Sequence, residues 1–275
     1  MTVCLLYFCF PSDTFRDYFI KTVSSVNSQV LASVEDVRPS LALGVKFLNA
    51  ELSPRTNPEI QLFSAESITI RPGIGSFLGS KSSYRFNCQG YGGNIKGTFQ
   101  FEKNSPEPPL DASITLEDIY IDDFIWLSTL TGCNPKGTLN GTITLQLQSN
   151  LLTHGTGEAN LKISDGSVAL KEPFLDLESI NFDEIQVKLA LKNRNIELSH
   201  FNMRGEEIQG TLSGTIRLNR DFLKSRLELG GNIELLEAVF NRNEEDSDKK
   251  AFMQGSVKLP FKITGTIEAP EFNFS

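Results

Sequence analysis

The most constraining feature of this sequence is a strict two-residue alternation that recurs along most of its length. In the segment Gly137–Leu147 every odd position is apolar or Gly and every even position is polar. The segments Gly93–Phe101 and Gly210–Leu218 repeat this design, and Ile263–Ile267 is a shorter copy. Because successive side chains of a β-strand point to opposite faces, the pattern predicts strands with one apolar and one polar face.

Further runs follow the same alternation with fewer glycines, among them Ala159–Ile163, Ile185–Leu191 and Arg226–Leu229. Turn-forming residues separate many of these runs. The clearest turn signals are Ser164–Ser167, Lys192–Asn195 and Gly230–Asn232. The chain of 275 residues is therefore predicted to be mainly β, with roughly a dozen strands paired as an antiparallel meander.

The glycines inside these strands need a reason, because an interior Gly weakens a strand. In each full copy two of them lie four residues apart on the apolar face. These pairs are Gly93 and Gly97, Gly137 and Gly141, and Gly210 and Gly214. Removing bulk from one face lets a sheet curl tightly or leaves space for something to lie against it. The alternative is that the glycines mark bulges in an ordinary sandwich or barrel. We prefer the first interpretation, which predicts an elongated, curled sheet.

The composition is that of a folded protein, with 39% apolar and 22% charged residues. The net charge of −8 and the pI near 5.0 argue against a nucleic-acid partner, which would need clustered positive charge. Lipid remains compatible with this charge, since acyl chains are recognised by apolar grooves.

The four cysteines are Cys4, Cys9, Cys88 and Cys133, and they form neither a CxxC motif nor a cluster with histidine. We therefore expect no metal site. Cys4 and Cys9 lie in an apolar run, where Cys behaves as a small hydrophobic residue. A disulfide between Cys88 and Cys133 stays open at this point, because spacing alone does not decide it.

Catalytic motifs are missing from the sequence. His154 and His200 have no recognisable nucleophile motif beside them, and no GxSxG motif occurs. The glycine-rich segment Gly73–Gly79 lacks the lysine of a phosphate-binding loop and the spacing of a dinucleotide fingerprint. Acidic pairs such as Asp122-Asp123 are expected by chance among 34 carboxylates. We predict a protein that is not an enzyme and has no cofactor.

The N-terminus begins with a short apolar run, Val3–Phe10. A membrane-spanning helix needs about 20 apolar residues, and a signal peptide needs a basic flank and a cleavage site that are absent here. One interpretation is a buried core element. The other, which we prefer, is that residues 1–10 are part of a membrane anchor, because Pro11-Ser12-Asp13 follows directly as a helix-start signal.

Residues 11–33 are predicted to form an amphipathic helix. Phe15, Phe19, Val26 and Val30 fall on one stripe of it. We expect this helix to cover the end of a sheet, with a position on a membrane surface as the alternative.

Residues 34–275 are then expected to form a single β domain. A short internal helix is predicted at Phe124–Leu130, with Asp122-Asp123 as its cap. The Pro-rich segment Asn104–Pro109 and the charged segment Asn241–Lys250 are read as solvated connectors.

Three parts of the chain resemble a known family. They are Phe10–Phe15 with the following helix and Val34–Phe47, the stretch Ile119–Gly141 around Trp126, and the closing segment Ile263–Phe272. Together they resemble type II secretion system protein N, within the wider AsmA-like and TamB-like group of envelope proteins. The closing Gly-Thr-hydrophobic and Pro-x-Phe pattern is similar to the ending shared across the AsmA-like proteins.

This resemblance implies a protein of the Gram-negative envelope, anchored at the inner membrane with the bulk of the chain in the periplasm. It implies a curled β-sheet with an apolar concave face and no catalytic residues. Type II secretion system protein N is an accessory component of its secretion machine, so secretion components are implied partners. AsmA-like proteins are associated with phospholipid movement between the two membranes, which makes a lipid-binding or lipid-transfer module the alternative function.

For the lipid alternative we predict an apolar groove for acyl chains, lined by side chains of the Gly-punctuated strands. The candidate residues are Ile95, Phe99, Phe101, Leu139, Ile143, Leu145, Leu147, Leu212, Ile216 and Leu218. Burial of methylene groups at about 0.8 kcal/mol each would give such a groove affinity without polar specificity. A structural β-sandwich is the third possibility, in which the same side chains pack against a second sheet and no groove exists.

Overall fold

A computed structural model describes most of the chain. The described residues are 10–26, 30–40, 43–55, 57–73, 76, 80–103, 109–124, 128, 133–148, 154–174, 177–219, 221–240 and 256–274. Apart from Phe10, the predicted anchor at 1–10 lies outside them. The predicted connector at 241–250 also lies outside, as does the one at 104–109 except for Pro109. Most of the predicted internal helix at 124–130 is also outside, and the described chain before it forms a 3₁₀ turn at Ile121–Asp123.

The described residues form one helix followed by fourteen strands, with short helical turns between some of them. The helix α1 spans Ser12–Val26 and a one-turn helix α2 spans Glu237–Phe240. The strands are β1 (Val30–Ser40), β2 (Gly44–Pro54), β3 (Phe63–Pro72), β4 (Lys81–Gly90), β5 (Gly93–Glu102), β6 (Leu110–Tyr120), β7 (Asn134–Leu147), β8 (Gly155–Phe174), β9 (Leu177–Lys192), β10 (Asn195–Arg204), β11 (Ile208–Arg217), β12 (Arg226–Leu235), β13 (Val257–Gly265) and β14 (Pro270–Phe274).

All fourteen strands belong to one sheet, in which each strand pairs antiparallel with its neighbours in sequence. The sheet is open, with β1 and β14 at its edges. This architecture confirms the predicted mainly β, curled antiparallel meander with an N-terminal helix. The sandwich interpretation is wrong for the described strands, because they contribute no second sheet to cover the apolar face.

The register of the strands aligns apolar residues into rows that cross the whole sheet. One row contains, in strand order, Val37, Phe47, Ile68, Cys88, Ile95, Leu116, Gly141, Leu161, Val187, Phe201, Leu212, Gly231, Phe261 and Phe274. The next row contains Pro39, Val45, Ile70, Phe86, Gly97, Ile114, Ile143, Ala159, Leu189, Leu198, Gly214, Leu229, Ile263 and Phe272. Neither row contains a charged residue, so one face of the sheet is continuously apolar.

The glycines of these rows lie between large apolar side chains on both neighbouring strands. Gly141, for example, pairs with Leu116 on one side and with Leu161 on the other. A Cβ atom added at Gly141 would lie 2.6 Å from the Asn160 carbonyl oxygen and 2.7 Å from Leu161 Cδ2. Atoms of the neighbouring strand therefore occupy the space that a side chain at Gly141 would need. This close approach bends the sheet towards its apolar face and leaves no empty space at the glycine.

Two predicted turns are continuous strand instead. The segment Ser164–Ser167 lies inside β8, where Asp165 has a φ of 52° and the register with β7 shifts by one residue. The sequence signal there marks a β-bulge. The segment Gly230–Asn232 lies inside β12. The predicted turn at Lys192–Asn195 is confirmed as the connection between β9 and β10.

The helix α1 is shorter than the predicted range of 11–33, because residues 30–33 belong to β1. Val30 and Leu31 pair with Pro54 and Ser53 of β2. Two residues of the predicted stripe, Phe15 and Phe19, do pack onto the sheet. The Phe19 ring lies 4.8 Å from that of Phe47.

Two clusters of buried side chains lie near the ends of the sheet. The cluster under α1 contains Val34, Val37, Phe47 and Ala50, of which Val37 is only 1% exposed. Near the other end Val239 of α2 packs with Ile208 and Leu235. Helices therefore cover the sheet near its two ends. Among the described residues no helix lies over the strands between them, although single side chains there, such as Ile119 of β6 and Leu198 of β10, are also buried.

On the polar face, ion pairs bridge neighbouring strands. Lys96 pairs with Glu117, and Lys162 with Glu184. The hydrogen bond from each lysine holds the pKa of its carboxyl partner below the usual range. These exposed pairs fix register more than they add stability.

Replacing Gly231 by Ala is predicted to destabilise the protein by roughly 1–3 kcal/mol, because the new Cβ would overlap the Thr211 carbonyl oxygen and come within 3.1 Å of Leu212 Cα. The matched control is Gly230→Ala on the opposite face, where the nearest atom to the new Cβ is 3.9 Å away. We expect that variant to be neutral or slightly stabilising. Urea unfolding measures both, and equal effects would contradict the proposed bending.

Candidate functional site

The apolar face of β4–β11 is the candidate site, and we call it the apolar trough. A third row of apolar residues widens it on these strands. This row contains Tyr84, Phe99, Ala112, Leu145, Gly157, Leu191, Ile196 and Ile216. Most side chains of the apolar trough are partly exposed, in contrast to the buried residues below α1.

The structure places the predicted groove residues on this face. Ile95 and Leu212 lie in the first row, Ile143 in the second, and Phe99, Leu145 and Ile216 in the third. Phe101 and Leu147 both pair with Leu110 of β6, and Leu139 pairs with Ile163 of β8. Nine of the ten predicted residues thus lie within strands. These strands, together with β6, β8, β9 and β10 between them, form one continuous surface.

Two predicted groove residues differ from the others. Leu147 and Leu218 are only 5% and 7% exposed, so they belong to the packed end of the strands and not to the open surface. Leu218 also follows the end of β11, where its N–H donates to the Arg194 carbonyl oxygen over 2.7 Å.

The sequence-based list omitted the central strands of the apolar trough. Leu161 of β8 and Val187, Leu189 and Leu191 of β9 occupy the same rows. Their two-residue alternation is visible in the sequence, but they lack the paired glycines on which the list was based. The alternation alone was the signal that would have found them.

An aromatic cluster forms one end of the apolar trough. The Tyr84 ring stacks at 5.3 Å on Phe99 and at 5.7 Å on Phe101, and Phe86 lies 6.2 Å from Phe99. Stacked rings on adjacent strands give a wide, rigid apolar surface.

Cys88 lies in the first row between Ile68 and Ile95, and it is 4% exposed. Burial raises the pKa of its thiol to about 11. Neither Cys88 nor Cys133 forms a disulfide in the structure, so the bridge left open by the sequence is not made.

The chemistry available to the apolar trough is apolar contact. Among the described residues, no group of three or more His, Cys, Asp or Glu side chains is arranged to hold a metal ion. The rows supply aliphatic and aromatic side chains over a length of many strands. Such a surface suits flexible hydrocarbon better than a polar small molecule.

No helix within the described part of the chain is long and apolar enough to cross a membrane. Comparison with family models, with curated proteins and with solved structures finds no match to this chain.

Cys88 is predicted to resist alkylation at pH 8 in the folded protein. Raising its pKa from 9.0 to about 11 lowers the thiolate fraction on the order of 100-fold, and burial slows access further. N-ethylmaleimide labelling with peptide mapping measures this, with Cys133 as the internal comparison and guanidinium-unfolded protein as the reference. Labelling of Cys88 at its unfolded rate would contradict the packing.

The same thiol has a consequence for stability. Because its pKa is raised on folding, the unfolded state ionises first, and the folded state loses stability as the pH rises from about 9 towards 11. Urea unfolding of the unchanged protein and of Cys88→Ala at pH 9 and pH 11 measures this effect. The variant lacks the contribution of the thiol, so the difference between the two proteins separates it from the titration of other groups.

Proposed function

We propose that this protein is a non-enzymatic lipid-binding module of the AsmA-like kind, and that acyl chains lie along the apolar trough. The observation that carries the proposal is the pair of uncharged apolar rows that cross all fourteen strands, with the described helices packed only near each end. A contiguous apolar surface of this extent is unusual on a soluble monomer and marks a binding surface.

The energetics favour a hydrocarbon ligand. Each methylene group transferred from water to the apolar trough contributes about 0.8 kcal/mol, so about ten methylenes contribute on the order of 8 kcal/mol before the cost of ordering the chain. Because the rows hold no charged residue, this affinity depends little on the headgroup. Most side chains of the apolar trough are partly exposed, so a ligand can remove further apolar area from water.

The extended form of the surface favours transfer as well as storage. Strands are about 4.8 Å apart in a sheet, so the eight strands β4–β11 span roughly 34 Å, longer than one acyl chain. Because each row is apolar along its whole length, a bound acyl chain can move from strand to strand. At each step it exchanges one set of apolar contacts for another. We propose that this is how the module moves phospholipid between the inner and outer membranes.

We further propose that the chain is an accessory envelope component related to type II secretion system protein N. It would be held at the inner membrane, with its sheet in the periplasm. This part of the proposal is supported by the resemblance of the chain's opening, middle and closing segments. Deletion of the gene, followed by measurement of exoprotein release, tests it: reduced release is expected, and unchanged release would restrict the function to lipid binding.

Placing a lysine in the apolar trough is predicted to reduce bound phospholipid roughly tenfold, because the charge must be desolvated beside the acyl chain. Ile143→Lys is the test variant and Thr142→Lys the control, since Thr142 is the preceding residue of β7 and lies exposed on the polar face. Lipid extracted from the purified proteins is quantified by mass spectrometry, with circular dichroism to confirm folding. Equal lipid in both folded variants would contradict the proposal.

A further inference from the structure

The polar face of the sheet carries a second concave site, opposite the apolar trough. It is an open cavity of about 1060 Å³ over β7–β11, and a cavity of about 320 Å³ adjoins it on β10–β12. The two share Asn195, Thr215 and Arg217 as lining residues. A twisted sheet is saddle-shaped, so concavities on both faces are compatible. We call the combined site the polar cavity.

Cations occupy one row of the polar cavity. Lys192 of β9, Asn195 of β10, Arg217 of β11 and Arg226 of β12 are consecutive partners in the sheet register. Arg217 and Arg226 are directly opposite each other, an arrangement that repels. Arg194, in the turn between β9 and β10, adds a fourth cation to the lining. We call the four cations Lys192, Arg194, Arg217 and Arg226 the cation row.

The cation row is one part of the polar face where the described cations make no ion pairs. Elsewhere lysines bridge to carboxylates on neighbouring strands, as Lys96 does to Glu117 and Lys258 to Glu234. Within the described part of the chain, no such pair involves a residue of the cation row. Two opposed guanidinium groups in a concave site, without a carboxylate partner, favour an anion that can accept hydrogen bonds from both.

Carboxylates occupy the next row inward. Glu158 of β8, Glu197 of β10 and Glu228 of β12 alternate there with Ala190 and Thr215. Two residues along a strand separate this row from the cation row, a distance of about 6.6 Å. The charges are therefore sorted by row, cations at the rim and carboxylates inside it.

The site is held in place by backbone hydrogen bonds. The Asn193 N–H donates to the Gly155 carbonyl oxygen over 2.6 Å, and the Leu218 N–H to the Arg194 carbonyl oxygen over 2.7 Å. These bonds tie the β9–β10 turn to β8 and to the end of β11. Arg194 therefore projects from a fixed backbone, which lowers the cost of ordering the site around a ligand.

We propose that the polar cavity binds a phosphate ester that also carries a primary amine, such as phosphoethanolamine. The cation row binds the phosphate. The carboxylate row, which consists of Glu158, Glu197 and Glu228, binds the ammonium group at the other end of a two-carbon spacer. Amide and hydroxyl groups of Gln146, Thr156 and Asn195 complete the lining. This assignment rests on the polar face alone and does not depend on lipid binding in the apolar trough.

Isothermal titration calorimetry of the full chain with soluble phosphoethanolamine tests the site without acyl chains. We expect a dissociation constant of about 1 mM or tighter, weakened roughly tenfold in the double variant Arg217→Gln/Arg226→Gln. The matched control is Arg71→Gln/Arg85→Gln, which removes another pair of directly opposed arginines on β3 and β4. No binding at about 10 mM, or equal weakening in both double variants, would overturn the proposal.

Two further titrations test the amine. Glycerol 3-phosphate is expected to bind roughly tenfold more weakly than phosphoethanolamine, and Glu197→Gln is expected to abolish this difference. Equal binding of the two ligands to the unchanged protein would overturn the role of the carboxylate row.

Vesicles distinguish the two sources of the ligand. Phosphatidylcholine vesicles with and without phosphatidylethanolamine are sedimented with the protein. Binding only to the vesicles that contain phosphatidylethanolamine, lost in the Arg217→Gln/Arg226→Gln variant, identifies a lipid headgroup. If the soluble ligand binds and neither vesicle does, the site serves a free phosphoamine. Vesicle binding that survives in this variant would contradict a membrane role for the cation row.

Discussion

The register between neighbouring strands is the constraint on which the rest of this structure depends. Because side chains alternate between faces, a shift of one residue in any strand would move its apolar side chains into water. The register instead keeps two rows apolar across fourteen strands. Within these rows, Gly141 and Gly231 stand opposite bulky residues on both sides, so each glycine lets the neighbouring strand bend inward.

A single sheet built this way does not bury its own apolar face. The helix α1 covers the first strands with Phe15 and Phe19, and Val239 covers part of the last ones. Between these helices most side chains of the apolar trough are partly exposed, while Phe272 and Phe274 of β14 are 61% and 60% exposed. Marginal stability makes such exposure costly, and an acyl ligand would offset that cost. The polar face separately sorts its charges into rows, which gives the sheet two surfaces of different chemistry.

Much of this fold follows from the sequence, because the two-residue period specifies strands and faces directly. The meander, the packing of Phe15 and Phe19, and the apolar face were predicted on that basis. Gly230-Gly231 and Ser164–Ser167 were misread as turns, since whether a glycine forms a turn, a bulge or a bend depends on the partner strand. The cation row was not found, because Lys192, Arg217 and Arg226 are brought together only by strand pairing.

The central claim, that the apolar trough holds acyl chains, is tested most directly by photocrosslinking in cells. A benzophenone amino acid is placed at Phe99, on the apolar face of β5, and in a matched protein at Gln100, which is exposed on the polar face. The account predicts phospholipid adducts at Phe99 and none at Gln100 when the purified proteins are analysed by mass spectrometry. Adducts at neither position, or equally at both, would contradict it.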